Sequence, residues 1–100
     1  MATLYITEYA DSGFISGPVA VAKEPRITSQ TVEIAAGSAQ SAAFNSATRL
    51  VRLHTDAICS VDFGTDPTAV ETESRMAANQ TEYFAVPHGQ SYKVAVIANT

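Results

Sequence analysis

The sequence predicts an all-β domain, an antiparallel β-sandwich or a jelly-roll-like barrel of about six to eight short strands. Three observations predict it. Apolar residues recur with a period of two over most of the chain, as the alternating faces of a strand require. The runs that carry them are short and rich in Val, Ile, Thr, Tyr and Phe, which suit a half-buried pleat. Gly, Pro and Asp punctuate those runs, and no stretch sustains helical spacing. With 100 residues the chain holds one core, so 1–100 reads as a single β domain.

The first strand is expected in 2–9 (ATLYITEY), with Leu4 and Ile6 on one face and Tyr5, Thr7 and Tyr9 on the other. Gly13, Gly17, Pro18 and Pro25 interrupt regular pairing over 10–26, which reads as an extended arm or long loop despite its apolar Phe14, Ile15 and Val19 to Val21. Alternation returns in 27–36 (ITSQTVEIAA), with Val32 and Ile34 on the core face and Gly37 ending the run. The Ser/Ala-rich stretch 38–47 has only Phe44 as a large anchor and reads as one helical turn or a loop. Two runs follow, 48–55 (TRLVRLHT) and 57–63 (AICSVDF), then a Gly-Thr-Asp-Pro turn at 64–67. Val51, Leu53, Cys59, Val61 and Phe63 are their inward residues. The polar segment 68–79 extends that turn into a second long loop over 64–79, a short helix and a weak edge strand being its other readings. Finally, 80–87 and 91–98 read as a hairpin around Pro87-His88-Gly89, with Phe84 and Val86 facing Val94 and Val96.

Composition narrows the function. Charged residues make up 16% of the chain, well below the roughly 25% usual for soluble proteins, and a low-charge surface suits contact with another protein. The net charge of −4 and the lack of a basic run argue against a phosphate-tracking surface, so nucleic acid is not an expected partner. No apolar window approaches about 18 residues and no basic n-region opens the chain, so neither a membrane span nor a signal peptide is expected, and the protein is placed inside the cell at synthesis. One cysteine, Cys59, closes no intramolecular disulfide and makes no zinc site alone.

The chemistry-bearing residues make weak constellations. His54 and Asp56, two apart and so on one strand face, with His88 later, resemble the His-x-Asp…His triad of non-haem iron(II) oxygenases. The chain is about half the length of such a domain, and only Lys93 follows His88 as a co-substrate clamp. Alternation with Val51 and Leu53 places His54 and Asp56 on a solvated face instead, and no metal is expected. Ser60 and Cys59 lie near His54 in sequence, but Cys59 falls on an apolar face, where a thiol is inert, and neither is expected to be a nucleophile. Asp62 and Glu82 read as solvating charges rather than an acid/base pair. Asn79-Gln80-Thr81 matches a short glycosylation sequon that is common by chance. Neither an enzyme activity nor a cofactor is expected.

The aromatic and apolar residues outside the core face point to a binding role. Tyr5, Tyr9, Phe14, Ile15, Val19 and Val21 are the candidate partner contacts, with Arg49 and Arg52 for partner carboxylates. Burial of the same aromatics by a wrapped arm is the competing expectation.

The succession ATRLVRLHTDAICSVDFGTDPTA (47–69) and RMAANQTEYFAVPHGQSYKVAVI (75–97) resembles small virion proteins of tailed bacteriophages. The opening MATLYITEYADSG (1–13) and the arm after it are similar to the short strand and Gly/Pro-containing insert with which such proteins often begin. The resemblance implies a capsid decoration, cement or staple protein without enzymatic activity. It implies a location on the capsid surface of the virion after synthesis in the host cytoplasm. The partner it implies is the major capsid protein, whose neighbouring subunits it would bridge, and the chain would be a homo-oligomer, a dimer or trimer, on the shell. A head-completion or tail-joining protein at the portal vertex, and a small binding module outside the virion, are the alternatives.

Overall fold

The computed structural model describes residues 2–10, 12–14, 18–22 and 25–99, and describes side chains in these segments outside 12–14 and 18–22. Among the described residues there is no helix, and none long and apolar enough to cross a membrane. Ten strands form: β1 (Thr3–Tyr9), β2 (Ser12–Phe14), β3 (Pro18–Ala22), β4 (Thr28–Glu33), β5 (Ala39–Gln40), β6 (Leu50–Thr55), β7 (Cys59–Gly64), β8 (Arg75–Met76), β9 (Thr81–Ala85) and β10 (Lys93–Ala98). Eight of them build two antiparallel sheets, the first in the order β4-β1-β6-β9 and the second β5-β10-β7-β8, with β2 and β3 as a separate ribbon. The all-β sandwich expected from alternation is what forms, as two open sheets rather than a closed barrel.

Alternation decides which residues fill the space between the sheets. Leu4, Ile6, Val32, Val51 and Leu53 enter from the first sheet, and Cys59, Val61, Met76, Val94 and Val96 from the second. Ile34, Phe44 and Val86 close the core from the connections, and Phe63 lies half-buried between Phe44 and Phe84, with ring centroids 6.4 and 5.0 Å away. Each fully buried aliphatic side chain contributes about 1.5–3 kcal/mol relative to exposure.

Connections depart from the sequence reading in one place and add detail to it in two. The expected hairpin of 80–87 with 91–98 does not pair: β9 bonds to β6 and β10 to β7, in different sheets. Val86 and Val94 both belong to the one buried core, but not through a shared ladder. The stretch 38–47 holds the two-residue β5 and no helix, since Ser41 and Phe44 donate backbone bonds to Val94 and Tyr92 instead of to their own turn. The segment read as an arm, 10–26, contains the β2–β3 ribbon.

Taken cyclically from β4, the strand order is that of a jelly roll: β4, β6 and β9 alternate between sheets with β5, β7, β8 and β10, and β1 stands in the eighth place, between β4 and β6. The sandwich therefore has two distinct ends. At one end lie the corners 34–38 and 56–58, with Ala2 bonded to Ile34, Ala98 to Ala35 and Asn99 to Ile58. The connections 41–49 and 86–92 lie at the other, where β1 ends at Tyr9 and β4 begins at Thr28, as the registers fix.

Candidate interaction face

Glu8 explains how the ribbon end is held. Alternation would put an apolar residue at this core-face position of β1, yet the carboxylate is buried, 1% exposed. Its Oε1 accepts from the Asn45 amide at 2.8 Å and the Thr48 hydroxyl at 2.7 Å, and its Oε2 from Gln30 Nε2 at 3.3 Å. Gln30 in turn bonds both backbone groups of Ala42. One carboxylate thus ties the 41–49 connection and edge strand β4 to β1, and replaces the solvation that burial removes. A groove of about 340 Å³ opens beside it, lined by Glu8, Thr28, Gln30, Ala42, Ala43 and Asn45, but the polar groups of Glu8 and Gln30 there already bond to the fold.

The outer faces of the two sheets differ. Ser60 and Ala95 alternate with core residues of β7 and β10 and so point away from the core, yet both are buried. The β7–β8 connection, 65–74, covers them. Gln40 Nε2 donates to Asp66 Oδ1 and to the Pro67 carbonyl, both at 2.8 Å, and the Ala69 amide donates to Ser38 Oγ at 2.9 Å. Asn99 Nδ2 donates to Ser60 Oγ and to the Glu71 carbonyl, also at 2.8 Å. The chain roofs its own second sheet.

Among the described residues, none roofs the middle rows of the outer face of the first sheet in this way. Register sets Ser29, Thr7, Arg52 and Tyr83 side by side across β4, β1, β6 and β9, and Thr31, Tyr5, His54 and Thr81 in the adjacent row. Tyr5 and Tyr83 are each 41% exposed, while Arg52 and His54 between them are half-buried. His54 Nδ1 and Thr81 Oγ1 share a hydrogen bond of 2.7 Å, and the Tyr5 ring lies 6.3 Å from the imidazole at a tilt of 43°. Two phenols, one guanidinium, one imidazole and several hydroxyls make a surface rich in aromatic groups with little charge to desolvate, the composition of a protein-contact patch.

Sequence-predicted contacts distribute unevenly over this geometry. Tyr5 and Arg52 lie on the open face, and Arg49 is exposed in the 41–49 connection, its backbone amide bonded to the Tyr9 carbonyl at 3.0 Å. Tyr9 is buried, 5% exposed, contrary to the expectation that it offers a free contact. Glu8 and Tyr9 are consecutive and both buried, so both faces of β1 are covered where the strand leaves the sheet. Ile15 and the side chains of Phe14, Val19 and Val21 lie outside the described residues. Tyr83 was not among the expected contacts, although alternation about an inward Phe84 places it outward.

The candidate chemistries do not assemble. His54 bonds Thr81, Asp56 accepts from the Thr3 amide at 2.7 Å, and His88 belongs to the 86–92 connection at the opposite end. Among the described residues no group of three His, Cys, Asp or Glu is placed to hold a metal. Asp62 and Glu82 sit in different sheets. Burial pushes the Cys59 thiol up from its ordinary range, opposed by its hydrogen bond with Thr55 Oγ1 at 3.6 Å, which makes it a poor nucleophile. No family model matches the chain, and no curated protein or solved structure matches it either.

Proposed function

We propose that the chain is a capsid decoration protein of a tailed bacteriophage, which docks on the outer surface of the major capsid protein and bridges neighbouring subunits. The observation that supports this reading is the contrast between the faces: the second sheet is roofed by residues 65–74, while the first presents Tyr5, Arg52, His54 and Tyr83 in two open rows. The major capsid protein is proposed as the partner on the resemblance of 47–69 and 75–97 to small virion proteins.

Magnitudes shape the mechanism. Four strands about 4.8 Å apart, each rising about 3.3 Å per residue, give the face roughly 400 Å². A stable pair buries about 800 Å² per partner, so this face alone holds weakly. The ribbon end adds contact area, and a dimer or trimer on a repeating shell gains avidity without new contacts. Gradient-purified particles test the reading by quantitative peptide mass spectrometry. Hundreds of copies per particle are expected. A count of about a dozen would move the role to a ring at the portal vertex, and absence would discard a virion role.

A further inference from the structure

Strands β4 to β10 run through seven consecutive places of a jelly roll, and the eighth is filled by β1, which precedes them in the chain. The link that the jelly roll would make from β10 into β1 is absent from the covalent order. A link it does not need, 10–27, joins β1 to β4. The two places involved are close: Ala2 accepts from the Ile34 amide at 3.0 Å, and Ala98 donates to the next carbonyl, Ala35, at 2.8 Å. From bond geometry, Ala2 and Ala98 then lie within roughly 15 Å, which about five extended residues span.

We infer that this chain is a cyclically shifted jelly roll, in which 10–27 bridges the two positions where that fold ordinarily starts and stops. The covalent continuity of 10–27 is then dispensable for folding, because β1 is held in place by its two ladders and by the Glu8 bonds. The segment is free to act as a contact element rather than a structural one. This holds whether or not the partner is a capsid.

The test is a permuted chain containing every residue, running 25–100, then a Gly/Ser linker of about six residues, then 1–24. Cooperative denaturant unfolding, an unfolding constant within about tenfold of the parent, and a Cys59 thiol shielded from Ellman's reagent in native buffer are expected. A chain that unfolds without cooperativity, or exposes Cys59, overturns the inference, and a cyclic control tests the adjacency of the two ends by itself. That control keeps the parental order and closes it with the same linker: a midpoint at or above the parent's supports adjacency of Ala2 and Ala98, and a lower one overturns it. Particle binding is read separately, so a permuted chain that folds but fails to bind bears on the docking role alone.

Discussion

Glu8 makes a sharp test at the scale of one residue, because it places a carboxylate at a position of β1 whose period calls for an aliphatic side chain. Removing it leaves the Asn45 amide and Thr48 hydroxyl without their acceptor. Glu8→Ala is expected to lower stability by about 2–4 kcal/mol, since hydrogen bonds to charged groups are worth about 1.5–3 kcal/mol each and water in the adjoining groove replaces part of the loss. Glu8→Gln, which keeps an acceptor oxygen, should lose less. Urea unfolding of the three proteins decides it, and an Ala variant as stable as the parent would remove Glu8 from its structural role. Cys59 makes a second test. Its folded pKa is raised, so the folded state keeps a proton that the unfolded thiol releases above about pH 8.5. Stability should therefore decline as pH rises beyond that value, and the decline should be shallower in Cys59→Ala. Unfolding curves between neutral and alkaline pH would show identical slopes if the thiol were not responsible.

Elements were legible where alternation reports burial, and illegible where distant pairing decides. Leu4 and Ile6, Val32, Leu53 and Val61 announce their strands because each stands between polar or tyrosine neighbours. The Pro87-His88-Gly89 turn says that the chain reverses there, but not which strand it then pairs with. β9 and β10 look like a hairpin in sequence and belong to opposite sheets because each completes a ladder with β6 or β7. The open face was half legible. Tyr5 follows from its own strand, whereas the enclosure of Tyr9 depends on connections from elsewhere in the chain. Two predictions belong to this scale. Asn99→Ala should speed amide exchange across 65–74 with a global cost of about 1 kcal/mol, because Asn99 bridges Ser60 of β7 to the Glu71 carbonyl of that segment; unchanged exchange would mean that Gln40, Ser38 and Ser60 suffice. Tyr5→Ala and Arg52→Ala should reduce particle occupancy at least tenfold with little change in unfolding midpoint. Full occupancy in both would exclude this face from docking.

For the whole molecule, the contrast between core and 10–27 predicts separable effects of folding and binding. Glu8 and Ile27 already form the first bond of a β1–β4 closure, the Ile27 amide donating to the Glu8 carbonyl at 2.7 Å. Replacing 11–25 by an Asn-Gly turn should leave a cooperative sandwich and abolish capsid occupancy, as measured by sedimentation with stripped particles. Retained occupancy would assign docking wholly to the sheet face. The margins of the sheets carry a further consequence. Both outer strands of the second sheet, β5 and β8, are two residues long. Edges that short cannot template a foreign strand, whereas β4 and β9 on the first sheet are six and five residues long. Copies crowded together at high local concentration can therefore extend one layer of the sandwich by strand addition but not the other. Gln30, fastened to Ala42, already obstructs β4. Among the described residues, the two sheets of the sandwich offer no matching pair of edges from which ordered fibril growth, which needs both layers to propagate together, could begin.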